Sequence, residues 1–282
     1  EGLGNQFLQN IRQVDAIVHV VRCFRDENIA HVNGKIDPIC DAEIINSELL
    51  LADLKTLEKR IKECKTGAKN SDKSFINELN VFEKIRNEIE AGNINWADKL
   101  SVDEKGMVGQ LCLLTAKKQI FVANIDEMTI VCGKNSYLDS LKKYALEKNL
   151  MVVEVCAKLE SEIRSLPRDE AEQYLSGYTT YKSGINDLVN TGYTVLDLIT
   201  FYTCNSNEAK AWSAKNGTSA KKAAGMVHTD FEKGFITAEV INANELIKCG
   251  SYHAAKERGA VKLEGKQYIV RQNDVILFRF NR

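Results

Sequence analysis

Apolar positions fall along this chain in two rhythms. Residues 14–24 and 119–124 are nearly unbroken apolar, β-branched runs, the pattern of strands buried on both faces in a parallel sheet. Residues 151–157 form a third such run, and Lys158 then opens a helical pattern. Between the first two runs, Ile44, Ile45, Leu49, Leu50, Leu51, Leu54, Leu57 and Ile61 recur at helical spacing over 41–64, with Glu58, Lys59, Arg60 and Lys62 on the other face. A polar break at 67–71 precedes a second stripe, Phe75, Leu79, Phe82, Ile85 and Ile89, for which Ser71 and Asp72 supply a start and Gly92 an end. This spacing predicts an antiparallel helical hairpin inserted after a strand. Phe7, Leu8 and Ile11 also keep helical spacing. Ser101 and Glu104 carry the spacing of a capping box. Further helices are predicted over 136–148, 168–177 and 184–196. Alternation of strand and helix predicts an α/β domain built on a parallel sheet.

From residue 198 the rhythm changes. Short strand-like runs occupy 198–203, 208–214, 233–241, 266–270 and 275–280, and a small-residue helical piece covers 219–226. Five short strands around one helix predict a small β-grasp module, with a domain boundary near 198.

Composition removes several function classes. A chain of 282 residues allows one large core or two to three domains. Its net charge of −1 gives no global basic field, so no DNA partner is expected and any RNA contact must be a local patch. Lys59, Arg60, Lys62 and Lys65, with Lys221 and Lys222, are the basic clusters. No apolar run approaches the roughly 20 residues that cross a bilayer. None of the eight cysteines is in C-x-x-C spacing, so zinc and dithiol chemistry gain no support and no metal ligand is assigned. Scattered cysteines predict reduced, mostly buried thiols in a cytoplasmic protein. The first residue is Glu1 and no signal-peptide pattern follows, so an internal start is expected.

The chemistry concentrates at the end of the second apolar run. There the strand stops at Asn124-Ile125-Asp126-Glu127. Ligands of open α/β sheets bind beyond the carboxyl ends of the strands. The base-reading loop of P-loop GTPases has the form Asn-Lys-x-Asp; here Glu stands last and Ile second. A strand-end Asn that caps a turn accounts for the same residues. Cys156-Ala157-Lys158 follows the next strand, where backbone N–H groups and the lysine stem are placed to meet a ligand. His19 reads as a core residue, and His31 lies in a polar loop after the first strand. The spacing of His228, Asp230 and Glu232 is not that of a metal site.

Glu1-Gly2-Leu3-Gly4-Asn5-Gln6-Phe7-Leu8, His19-Val20-Val21-Arg22-Cys23-Phe24, Val122-Ala123-Asn124 and His228-Thr229-Asp230-Phe231-Glu232-Lys233-Gly234-Phe235-Ile236 together resemble the YchF, or Obg-like ATPase, family. Phe278-Arg279-Phe280-Asn281 is similar to the family's usual carboxyl end. The resemblance covers the whole chain. It implies a P-loop NTPase-type parallel sheet (1–40 and 111–197) interrupted by the helical hairpin (41–110) and followed by a TGS β-grasp domain (198–282). It also implies binding and hydrolysis of ATP, or of GTP, with Mg²⁺, and association with ribosomes or rRNA. The family's base-reading motif is Asn-x-x-Glu, so Asn124, Ile125 and Glu127 are expected at the base, Ile125 packing on or near it. Cys156, Ala157 and Lys158 occupy the place of the second base-contacting loop, and His31 becomes a candidate for orienting water.

One departure is large. The family's phosphate loop, Gly-x-x-Asn-Val-Gly-Lys-Ser-Thr, has no counterpart among these residues. Gly34-Lys35-Ile36, Gly133-Lys134-Asn135 and Gly265-Lys266-Gln267 all lack the hydroxyl residue. The cradle for the phosphates and the Mg²⁺ ligands are therefore expected upstream, and the 282 residues alone are expected not to hydrolyse nucleotide. The alternative is a non-catalytic adaptor that grips RNA or protein through hairpin and TGS domain.

Overall fold

The structure, a computed structural model, describes residues 4–32, 34–68, 73–177, 183–205 and 208–281. The chain divides into two compact units, Glu1–Gly192 and Tyr193–Arg282. In the first, α1 (Asn5–Arg12) leads into β1 (Ala16–Arg22). Then come α2 (Pro38–Ala68), α3 (Lys73–Glu90), a 3-10 turn over Trp96–Lys99 and α4 (Val102–Gly109). The chain continues through β2 (Lys118–Asn124), α5 (Glu127–Cys132), α6 (Ser136–Glu147), β3 (Met151–Val155), α7 (Ala157–Ser165), α8 (Arg168–Ser176) and α9 (Gly184–Val195), whose last three residues belong to the second unit.

The three strands form a parallel sheet in the order β1-β2-β3. Arg22 pairs with Asn124, and Asn124 with Val155, so all three carboxyl ends finish at one edge. The central strand is the most apolar, and Ile120, Phe121, Val122 and Ala123 are all buried. The outer strand differs from the expectation of burial on both faces. Val21 is buried, but Val18 and Val20 are exposed, at 45% and 62%. The β-branched run specified the strand; its place at the sheet's edge left one row of side chains uncovered.

Helices α2 and α3 pack along one another through the two predicted stripes, with Leu57, Ile61, Phe82, Ile85 and Ile89 inside. Helix α2 is longer than predicted at both ends. The proposed start of α3 at Ser71 and Asp72 lies outside the described residues. The capping box forms: Ser101 Oγ accepts from Glu104 N–H, and the Glu104 carboxylate accepts from Ser101 N–H at 2.7 Å. On α2, Asp53 is fully buried. Its carboxylate accepts from Leu114 N–H, Thr115 N–H and Thr115 Oγ, each at 2.7 Å, and Trp96 Nε1 donates to the same Thr115 hydroxyl. Burial raises the Asp53 carboxyl above its usual range, against the pull of these three donors.

The second unit holds β4 (Leu198–Cys204), β5 (Ala209–Lys215), α10 (Ala220–Val227), α11 (Thr229–Lys233), β6 (Phe235–Asn242), α12 (Ala243–Cys249), α13 (Tyr252–Glu257), β7 (Lys262–Glu264) and β8 (Asp274–Phe280). Its mixed sheet has the order β5-β4-β8-β6-β7, with β4 and β8 parallel. Two expectations fail here. The strand foreseen at 266–270 is a single bridge at Ile269, and the fifth strand is Lys262–Glu264, whose polar sequence gave no strand signal. Among the described residues four helices, not one, accompany the sheet, because α11, α12 and α13 are short and each is set by a capping side chain, His228, Asn242 and Ser251.

None of the eight cysteines forms a disulfide, but the expectation of mostly buried thiols is not met. Cys23, Cys64 and Cys156 are buried, whereas Cys40, Cys112, Cys132 and Cys204 are exposed.

Candidate functional site

The common carboxyl edge of the parallel sheet is where loops of the first unit converge. Asn124 ends β2, and its backbone carbonyl accepts from Cys23 N–H at 2.8 Å. Its side-chain Oδ1 accepts from Ala157 N–H at 3.2 Å, joining the loops after β2 and β3. An amide oxygen so engaged leaves the Nδ2 group as the donor the side chain offers to a ligand. Glu127, the first residue of α5, pairs through Oε1 with Lys158 Nζ at 3.0 Å. Asn124, Glu127, Ala157 and Lys158 are thus brought together.

Ile125 is placed otherwise than expected. It is 4% exposed and packs in the core with Phe121, Leu141 and Leu159, and its N–H donates to Val155 O at 3.0 Å. An apolar side chain between two polar loop residues finds more contact under the sheet edge than at the surface. Cys156 is fully buried at the start of α7, and burial pushes its thiol above the ordinary range. It supports the loop from below.

Three further residues hold the edge. Asp126 Oδ1 accepts from Thr129 N–H at 2.8 Å and from the Thr129 hydroxyl at 2.6 Å, capping α5. Asn135 accepts through Oδ1 from Tyr137 N–H and Leu138 N–H, capping α6. Its Nδ2 donates to the Thr129 hydroxyl at 2.8 Å and to Cys23 O at 2.6 Å. The capping role of Asn135 could have been read from its place before an apolar helix. Its reach to Cys23, 112 positions away, could not.

His31 lies in the loop after β1, tied to α2: its Nε2 is 2.9 Å from Asp41 Oδ2. Arg22, in register with Asn124, fixes the start of that loop. Its guanidinium donates to the carbonyls of Phe24, Asp26 and Ile29. His19 is half-buried with its ring 5.2 Å from Phe121, and burial lowers its pKa.

Of the basic clusters, Arg60 pairs with Glu63 and Glu78, and Lys65 with Glu83, so part of that charge is matched internally. Lys59, Lys62, Lys221 and Lys222 are exposed. His228 Nδ1 accepts from Asp230 N–H and so starts α11. Among the described residues no three His, Cys, Asp or Glu side chains gather as metal ligands.

The family model YchF-GTPase_C, described as a protein of unknown function (DUF933), matches residues 198–281. The chain is 44% identical over 283 residues to a protein of Bacillus subtilis (strain 168) named ribosome-binding ATPase YchF, covering 100% of this chain and 77% of that protein. It is 42% identical over 281 residues to the Escherichia coli O157:H7 protein of the same name, with the same coverage. The structure matches that of the Schizosaccharomyces pombe YchF GTPase with a TM-score of 0.89 at 32% identity, covering 99% of this chain and 75% of that one. A match of this extent and identity, over both sheets and the helices between, means that this chain belongs to the YchF family.

Proposed function

We propose that this chain is the base-reading and ribosome-contacting part of a nucleotide hydrolase, acting on ATP or GTP. The observation that carries the reading is the hydrogen bond from Ala157 N–H to Asn124 Oδ1 at the sheet's carboxyl edge. It sets a side-chain amide, a carboxylate and a lysine within one cluster where open α/β sheets bind ligands. Asn124 and Glu127 read the purine edge, Ala157 and Lys158 flank it, and Ile125 and Cys156 shape the loops from the core. His31 orients water, held until then against Asp41. The names of the relatives, ribosome-binding ATPase, support the same activity and partner here.

We assign the nucleotide-binding domain to 1–40 and 111–197, the hairpin to 41–110 and a TGS β-grasp domain to 198–282. The hairpin and the TGS domain make the ribosome contact, through exposed Lys59, Lys62, Lys221 and Lys222 meeting rRNA phosphates. No helix among the described residues is long and apolar enough to cross a membrane. Phosphate and Mg²⁺ binding is assigned to no residue of these 282. Bound with its Mg²⁺, the nucleotide supplies the γ-phosphoryl group that is transferred to water; the residues here hold and orient its base.

The exposed Lys59, Lys62, Lys221 and Lys222 favour a second reading, an adaptor that grips RNA or protein and in which nucleotide is at most a structural ligand. ATP and GTP turnover by the full gene product, alone and with Asn124→Ala or Glu127→Ala, separates the two. Turnover that both substitutions weaken supports the enzyme. No turnover, with ribosome co-sedimentation retained, supports the adaptor.

A further inference from the structure

The edge of the proposed base site carries an ion pair that bears on which purine it accepts. Glu127 Oε1 lies 3.0 Å from Lys158 Nζ, and the two arrive from different helices, α5 and α7. A carboxylate by itself is all acceptor. Its two oxygens match the adjacent N1–H and N2–H₂ donors of guanine, which is how an unpaired acidic residue selects that base. An ammonium seated on one oxygen changes the pattern to an acceptor beside a donor. Adenine presents the complement, an N6–H₂ donor beside the N1 acceptor. Guanine would have to displace the lysine before using both oxygens.

We propose that Lys158 is a specificity-determining residue: by pairing with Glu127 it turns a guanine-matching carboxylate into an adenine-matching acceptor–donor pair. The inference rests on the assignment of Asn124 and Glu127 as base readers. Asn124 does not discriminate in this scheme, since its Nδ2 donor suits N7 of either purine. Lys158 is 74% exposed on its side chain, so the pair is screened and its effect is modest. The same exposure means that its replacement leaves the core untouched.

AMP and GMP are titrated into the 282-residue chain, following the amide resonances of Ala157 and Lys158 by NMR. The ratio of the two dissociation constants is the readout, because loss of a lysine weakens both phosphate-bearing ligands equally. The wild type is expected to favour AMP. Lys158→Met should move the ratio toward GMP by roughly three- to fivefold, the worth of an exposed ion pair. Glu127→Gln supplies acceptor and donor from one carboxamide, so in that background Lys158→Met should leave the ratio unchanged. A ratio unmoved by Lys158→Met in the wild-type background, while Asn124→Ala still weakens AMP binding by roughly tenfold or more, overturns the role of Lys158 and leaves the base site standing. If Asn124→Ala leaves the AMP dissociation constant unchanged, or no nucleotide perturbs these amides, the base site itself is wrong and this inference falls with it.

Discussion

Ala157 and Asn124 stand 33 positions apart, and the backbone N–H of one donates to the side-chain oxygen of the other at 3.2 Å. The bond crosses from the loop after β3 to the end of β2, so each loop limits where the other can go. Asn124→Ala removes both this acceptor and the donor offered to a purine. We expect a stability loss of about 1 kcal/mol by chemical denaturation and at least roughly tenfold weaker AMP binding by calorimetry. Equal AMP affinity in variant and wild type would remove Asn124 from the site.

Asp53→Ala should be far more damaging than any change at the site. It strands the Leu114 and Thr115 N–H groups and the Thr115 hydroxyl in a place without water. The expected cost is about 3 kcal/mol or more, measured by urea unfolding of the first unit. Asp53→Asn keeps one acceptor oxygen and should cost less.

The second unit should weaken in acid. Glu239 is buried and accepts from the Tyr252 hydroxyl, Lys256 and Arg279, which lower its pKa from 4.5 to about 2. A depressed carboxylate pKa gives stability present above the unfolded value and lost as pH falls through the folded one. The loss therefore runs between about pH 4.5 and pH 2. It amounts to about 3 kcal/mol at most, because Lys256 and Arg279 are half-exposed and screened. Hydrogen exchange of β6 and β8 at pH 6 and pH 3 measures it. Glu239→Gln should flatten the pH dependence, and an unchanged dependence would contradict this account.

Gly234→Ala should destabilise the second unit by about 2 kcal/mol. A Cβ there would overlap the carbonyl oxygen of Asn281, whose own N–H donates to Gly234 O at 2.9 Å. The Phe231–Phe280 stack, with ring centroids at 4.1 Å, lies beside this contact and should loosen with it. Faster exchange at Phe231 and Phe280 amides than in the wild type is the expected readout.

Periodicity carried much of the fold. Apolar runs placed β1, β2 and β3, two stripes placed α2 and α3, and Ser101 with Glu104 announced the start of α4. What it missed is instructive. Lys262–Glu264 is a strand because its neighbour β6 offers it partners, and a polar tripeptide carries no trace of that. Val18 and Val20 are apolar as in a covered strand, yet their exposure depends on what lies across the sheet. At the candidate site, Asn124 and Glu127 stand out because a buried strand ends there. The burial of Ile125, the three carbonyls gathered by Arg22 and the long reach of Asn135 are tertiary facts without local spacing.

The side chain of Asn135 works as a rivet driven through three layers: one end closes a helix start, the other pins a hydroxyl and a distant carbonyl. Because it is set as the domain folds, the loop after β1 and the start of α5 are tied together before any ligand arrives, and little of a ligand's binding energy goes into ordering those two segments.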